Sequence, residues 1–155
     1  MRGKRAKKRK VQLDPKYGDD LMARFINKIM LHGKRGTAEQ MFYDALEAAA
    51  KKVGVDPLEF LNTMTDNVRP ALEIKARRVG GANYQVPVPV SPTRQETLVI
   101  RWMVDVARSK TGDSFTNILM KEMLDAYNGT GDVARKKEDT ERMAEANKAF
   151  AHFRW

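Results

Sequence analysis

The residues of this chain best suited to bind a charged ligand are the cations at its start. Seven of the first ten residues are basic and none is acidic: Arg2, Lys4, Arg5, Lys7, Lys8, Arg9 and Lys10. The whole chain has a net charge of +9, so this segment holds most of the excess. Dense like charge repels itself until a polyanion neutralises it, and nucleic acid is the commonest such partner. The pattern predicts a flexible basic arm, residues 1–16, that binds nucleic acid; a solubilising tail or a targeting signal is the alternative.

A second concentration of basic residues lies in the middle of the chain. Residues 69–101 contain two acids, Glu73 and Glu96, and six basic residues: Arg69, Lys75, Arg77, Arg78, Arg94 and Arg101. Within this stretch Tyr84 is suited to stack on a base, and Arg77 or Arg78 to contact phosphate. An ordinary polar hairpin end is the alternative interpretation.

Residues for catalysis are few. The absence of cysteine excludes disulfides, thiolate metal sites and thiol catalysis. The two histidines, His32 and His152, are far apart in sequence, and we expect His32 in the last turn of a helix, where the dipole favours imidazolium. The adjacent acids Asp19-Asp20 and Glu138-Asp139 do not share a helix face, so they indicate caps and surface charge. We therefore expect no enzyme activity, metal, cofactor or small-molecule substrate.

Residues 72–90 alternate between apolar and polar, which predicts a β-hairpin that turns at Gly80-Gly81. A two-residue turn there pairs Arg77 with Tyr84 in a hydrogen-bonded position, so the two side chains share a face. The same register places Pro87 and Pro89 in non-bonded positions, where proline is tolerated. The apolar base of the hairpin is expected to pack on the body: Leu72, Ile74, Val86 and Val88.

The rest of the chain shows the apolar spacing of amphipathic helices. Capping signals include Asp19 or Asp20, a Thr37–Gln40 capping box, and Asp56 followed by Pro57. A last helix, 132–150, is rich in both charges, which is typical of a helix that is solvated or lies along a partner. We predict a mainly α protein: a single helical domain, 17–155, of about six helices, with hairpin 72–90 between the third and fourth. No apolar run approaches the ~18 residues needed to span a bilayer, so we expect a soluble intracellular protein without a membrane partner.

One segment of the hairpin resembles a known signature. The sequence RRVGGANYQVPV at 77–88 is similar to that of the seventh small-subunit ribosomal protein family, bacterial type. The similarity extends along nearly the whole chain, including 25–30, 98–102, 136–147 and 152–155. The resemblance implies a helical body of about six helices with a β-hairpin between the third and fourth. It implies a cytoplasmic protein of the 30S subunit.

The same resemblance implies the partners. It implies a primary binder of the 3′ major domain of 16S rRNA that organises the head of the 30S subunit. It also implies a position beside the mRNA path and the exit-site tRNA, with contacts to neighbouring small-subunit ribosomal proteins. Some members of the family repress translation of their own operon.

The resemblance also assigns residues to these partners. The rRNA-binding residues would be Arg2, Lys4, Arg5, Lys7, Lys8, Arg9, Lys10, Lys34, Arg35, Lys75, Arg77, Arg78, Arg94 and Arg101. The residues facing mRNA and exit-site tRNA would be Gly80, Gly81, Ala82, Asn83, Tyr84, His152, Phe153, Arg154 and Trp155.

Two other classes of protein compete with this interpretation. The first is a DNA-binding helical protein that uses the hairpin as a basic β-wing. It needs a recognition helix with several polar side chains on one face, and the third helix carries two acids, Glu59 and Asp66, which make it a poor reader of the groove. The second is a small RNA-modifying enzyme, which the lack of cysteine and of clustered histidine disfavours.

Overall fold

The computed structural model describes residues 3, 6 and 12–153. This part of the chain forms α1 (Asp20–Ile29), α2 (Arg35–Val53), α3 (Pro57–Val68), β1 (Leu72–Val79), β2 (Ala82–Pro89), α4 (Pro92–Ser109), α5 (Phe115–Tyr127), α6 (Gly131–Ala146) and a short 3₁₀ helix (Lys148–Phe153). The predicted mainly α fold with a β-hairpin between the third and fourth helices is confirmed. The division into an arm and a body stays a prediction. Several predicted site residues lie outside the described residues: Arg2, Lys4, Arg5, Lys7, Lys8, Arg9, Lys10, Arg154 and Trp155.

Helix α5 lies at the centre of the helical body. It packs against α2, α3, α4 and α6, and it buries Ile118, Leu119, Met123 and Ala126. These four residues recur at helical spacing, so the amphipathic stripe predicted for this segment is the face that builds the core.

Two aromatic pairs hold α5 and α2 to their neighbours. The rings of Phe60 and Tyr127 stack with centroids 4.9 Å apart, and those of Phe25 and Phe42 with centroids 5.5 Å apart. The apolar spacing of the third helix predicts a buried stripe of Leu58, Leu61, Met64 and Val68. Phe60 lies outside that stripe, yet it is fully buried. The reason is that α3 packs against several helices, so a single stripe does not describe its buried surface.

The helix ends confirm some predicted caps and correct others. The side chains of Asp19 and Asp56 cap α1 and α3. However, α1 ends at Ile29, so the prediction that His32 lies in its last turn is wrong; His32 sits in the following turn with a left-handed φ of 52°. The Arg108 guanidinium donates to the carbonyl oxygens of Lys28 and Ile29, at 3.2 and 3.0 Å. A cation from α4 therefore satisfies carbonyls that end α1.

The start of the second helix also differs from the prediction. Helix α2 begins at Arg35, with Lys34 as its first flanking residue and no side-chain cap. Thr37 lies inside the first turn, so the predicted Thr37–Gln40 capping box is wrong. A backbone hydrogen bond closes the tight turn before α2: the Lys34 amide donates to the carbonyl of Leu31 at 3.0 Å.

The hairpin has the predicted register. Cross-strand partners run from Leu72 with Pro89 to Val79 with Ala82, and Arg77 pairs with Tyr84. Beyond the strands the Val90 amide donates to the carbonyl of Ala71 at 3.0 Å. Since bonded and non-bonded pairs alternate, this bond puts both strand prolines in non-bonded positions.

The predicted apolar base of the hairpin is divided between its two faces. Val86 is fully buried and shares its face with its partner Lys75, while Leu72 and Ile74 lie on the opposite face and are only half-buried. The four apolar residues therefore do not form one packed face, because partners across a ladder share a face and successive residues alternate.

The C-terminal helix is shorter than the predicted 132–150. Helix α6 ends at Ala146, where the Asn147 side chain donates to the carbonyl of Met143 at 2.8 Å. The 3₁₀ helix that follows packs on β2, with the ring of Tyr84 lying 5.3 Å from that of Phe150 and 4.9 Å from that of Phe153. The end of the described chain thus covers one face of the hairpin.

We expect Phe150→Ala to loosen the hairpin without unfolding the body. An aromatic pair contributes about 0.5–1.5 kcal/mol, so amide exchange around residues 79–84 should accelerate roughly 2- to 10-fold while the melting temperature changes little. Hydrogen exchange read by NMR checks this, and Met143→Ala on the exposed side of α6 is the control. Unchanged exchange in the hairpin would show that the 3₁₀ helix does not hold it.

Candidate nucleic-acid interface

Three arginines form a line along α4. Arg94, Arg101 and Arg108 recur every seven residues, which is nearly two helical turns, so they align on one side of the helix about 10 Å apart. Arg108 is absent from the residues predicted from the sequence, although the seven-residue spacing is a signal that identifies it. The line gives one helix face a row of cations.

A surface groove lies beside this row, between α1 and α4. It is lined by Arg24, Asn27, Lys28, Thr97, Ile100 and Arg101. Arg24 is held by Asp20 at 2.5 Å and by Glu96 at 2.8 Å, and Lys28 lies 3.8 Å from Asp105. Arg101 is exposed and makes no hydrogen bond or ion pair with the described part of the chain. Its guanidinium is therefore available to an external anion.

The two acids of the 69–101 region, Glu96 and Glu73, each pair with a different set of cations. Glu96 bridges Arg24 and Arg69, and Arg69 is 3.3 Å from Glu96 and 3.2 Å from Asp66. This arrangement ties Arg69 into the body, where it connects α3 to α4.

Glu73, near the start of β1, also bridges two cations. It is 8% exposed, and its two carboxylate oxygens lie 3.2 Å from the Lys75 Nζ and 3.2 Å from the Arg94 Nε. The buried carboxylate keeps two predicted rRNA-binding cations side by side while their charged groups remain at the surface. It thus extends the α4 line onto β1.

The predicted cations between the first two helices lie at the other end of the line. Lys34 is exposed just before α2, and Arg35, in the first turn of α2, pairs with Glu39 at 2.7 Å. Leu31 lines two adjacent hollows, one of which reaches Arg108 and the other Lys34. Lys75 therefore lies beside Arg94 at one end of the α4 line, and Lys34 lies near Arg108 at the other.

The hairpin presents its two faces differently. Gly80 and Gly81 have φ values of 56° and 92°, as a type I′ turn requires. The tip through Asn83 is exposed, and so are Arg78 and Gln85 on the face opposite Tyr84. Tyr84 already packs against two phenylalanine rings, so its predicted role as a stacking platform for RNA stays a prediction.

His152 lies in the same C-terminal cluster. It is exposed, its ring centroid is 4.0 Å from that of Phe153, and its Nδ1 lies 2.9 Å from the carbonyl oxygen of Ala149. Phe153 in turn contacts Tyr84, so the structure brings three of the residues predicted to face mRNA and tRNA into one aromatic cluster.

The described chain contains no group of three or more histidines and acids placed to hold a metal ion. None of the helices described combines the length and the apolar character needed to cross a membrane.

A helical body with a cationic groove, a line of arginines and a basic hairpin defines a structural protein of the nucleic-acid-binding class. The family model described as ribosomal protein S7p/S5e matches residues 1–148. The small ribosomal subunit protein uS7 of Mesoplasma florum is 52% identical over 155 residues, covering 100% of both chains. That of Natranaerobius thermophilus is 52% identical over 150 residues, covering 97% of this chain and 96% of its own. The chain belongs to the ribosomal protein S7p/S5e family.

Family membership settles the general role. The protein is a component of the small ribosomal subunit, which is cytoplasmic in bacteria, and it is not an enzyme. The predicted family, and with it the predicted class of protein, is confirmed.

We expect a substitution of Arg101 to affect RNA binding and a substitution of Arg69 to affect stability. Arg101→Gln should lower the slope of log affinity for RNA against log salt by about 0.7–0.9, the loss of one phosphate contact, and leave the melting temperature unchanged. Arg69→Gln should leave the slope unchanged and cost about 0.2–1 kcal/mol of stability, because it breaks partly exposed ion pairs. Filter binding across a salt series and thermal melts check both. Equal slopes for Arg101→Gln and the unmodified protein would exclude Arg101 from the interface.

Proposed function

We propose that this protein binds 16S rRNA directly, as a primary binder of the 3′ major domain, and organises the head of the 30S subunit. The observation that carries the proposal is the groove between α1 and α4, where Arg101 has no partner among the described residues and belongs to a line of arginines. Family membership supports the proposal, because ribosomal RNA is the nucleic acid that surrounds a ribosomal protein.

The chemistry of the groove fits a phosphodiester backbone. Guanidinium groups donate to phosphate oxygens in a fork that fixes orientation as well as charge. The Asn27 amide, which can also donate, lines the same groove, so a phosphate there would find neutral and charged donors together. Contacts of this kind determine the register of the RNA on the protein but do not read its sequence.

The hairpin tip and the C-terminal cluster belong to a second part of the proposal. We place the tip, Gly80 to Asn83, beside the mRNA path and the exit-site tRNA, with Arg78 supplying the charge. The support is the exposure of this end, its type I′ turn and the packing of the adjacent Tyr84 ring against Phe153.

Two further partners complete the proposal. The charged outer surface of α6, where Met143 is half exposed, is available to a neighbouring small-subunit ribosomal protein. Repression of the protein's own operon would use the same cations, since an mRNA segment that imitates the rRNA site offers them the same phosphates.

A DNA-binding role with the hairpin as a wing has less support. The third helix would have to read the major groove, but the guanidinium of Arg69 at its end is held by Asp66 and Glu96. No other cation lies on α3 to replace it.

The proposal predicts a preference for folded rRNA. At matched salt the protein should bind a transcript of the 3′ major domain of 16S rRNA at least 10³-fold more tightly than a DNA duplex of random sequence, the lower end of typical specific ratios. Competition filter binding measures the ratio. Comparable affinities for both ligands would contradict rRNA recognition and favour the DNA-binding alternative.

The two hairpin faces predict different mutant behaviour. In reconstituted 30S subunits, Arg78→Gln should lower the salt slope of exit-site tRNA binding by about 0.7, because an exposed cation at the tip is lost. Tyr84→Phe is the matched control and should behave as the unmodified protein, since the packed ring is retained. An effect of Tyr84→Phe without one of Arg78→Gln would show that RNA contacts the covered face instead.

A further inference from the structure

A buried carboxylate lies at the predicted junction between the basic arm and the helical body. Asp14 is 2% exposed. Its Oδ2 accepts hydrogen bonds from the backbone amides of Lys16 at 3.1 Å and Tyr17 at 2.6 Å. Its Oδ1 accepts from the hydroxyl of Tyr43 on α2. The Asp14 side chain therefore accepts hydrogen bonds from all three donors. The sequence pattern does not predict this role for Asp14.

A second carboxylate holds the same segment from α2. Glu47 accepts from the Tyr17 hydroxyl at 2.9 Å and from the Lys16 ammonium. That ammonium lies 5.5 Å from the centre of the Tyr17 ring and 5.2 Å from that of Tyr43. The pKa of Glu47 is lowered chiefly by the hydrogen bond from Lys16, and burial raises the pKa of Tyr43. Both groups thus keep the protonation states that these bonds need.

The backbone closes the segment into a loop. The Gly18 amide donates to the carbonyl of Asp14 at 2.9 Å, and the Asp14 amide donates to the carbonyl of Asp19 at 3.3 Å. Asp14 is therefore fixed both to α2 and to the start of α1. We name Asp14, Lys16, Tyr17, Tyr43 and Glu47 the anchor.

We propose that the anchor is a positioning device for RNA binding: it sets the point from which the seven cations of residues 2–10 start, next to the helical body. The inference rests on the proposed rRNA-binding function, because a fixed starting point for residues 2–10 affects affinity only if those residues bind RNA. Nothing in it requires the anchor residues to touch RNA.

The size of the effect follows from tether length. Lys10 is four residues before Asp14 and nine before Asp19, the next fixed point if the anchor is lost. The effective concentration of a tethered group falls with about the −3/2 power of tether length, so this lengthening lowers it about threefold. The number of phosphates contacted does not change, so the salt slope should stay the same.

The experiment uses a double-mutant cycle with the full chain and the 3′ major domain transcript. Asp14→Ala should weaken binding about threefold in the full chain and leave affinity unchanged when residues 2–10 are deleted. Insertion of five Gly/Ser residues between Val11 and Gln12 lengthens the tether equally without touching the anchor, and it should reproduce the threefold loss at an unchanged salt slope. Ser114→Ala, which removes a cap bond on distant α5, is the control for local destabilisation and should show no coupling to the deletion.

The outcomes distinguish a failure of RNA binding by residues 2–10 from a failure of the anchor inference alone. Deletion of residues 2–10 should lower the salt slope by roughly 3–5 if about four to six of the cations meet phosphates. If the deletion leaves affinity unchanged, the predicted binding of RNA by residues 2–10 is wrong and the anchor inference fails with it. If the deletion weakens binding but Asp14→Ala weakens both backgrounds equally, or the insertion has no effect, only the anchor inference is overturned.

Discussion

The burial of α5 is the constraint on which the rest of this structure depends. Four helices pack around it, so the core is built from the apolar stripes of helices that are polar on their other sides. One carboxylate enters this region: Glu122 is 2% exposed and is neutralised by Lys110, which also pairs with Asp132. None of the basic residues that the structure describes is buried, so this core does not have to accommodate the excess positive charge.

The surface charges are organised by a few acids. Glu73 and Glu96 each bridge two cations, and the attraction of each carboxylate for both neighbours offsets the repulsion between the basic groups. Arg69 and Arg24 are thereby used to connect elements of the body, whereas Arg101 is left for an external anion. The number of basic residues therefore overstates the binding surface, since cations such as Arg24 and Arg69 are paired with acids within the fold.

The hairpin and the N-terminal junction show how basic, weakly packed segments are given defined positions. At the hairpin, aromatic rings from the 3₁₀ helix cover the Tyr84 face, so the opposite face is the one that stays open. At the junction, Asp14 satisfies three donors at once. In both places a few specific contacts replace the large apolar surface that these segments lack.

The sequence by itself determined the helical class, the family, the hairpin register and the caps at Asp19 and Asp56. The class, the register and the caps depend on local spacing: apolar periodicity, proline without a donor, and acids next to free amides. The family followed instead from the resemblance of residues 77–88 and other segments to a known signature. The tertiary structure alone decided what distant residues do. Arg108 ends α1, Glu96 holds Arg69, the 3₁₀ helix covers Tyr84, and Tyr43 meets Asp14. Such contacts join residues far apart in the chain, and only the packing of the helices brings them within hydrogen-bonding or ring-stacking distance.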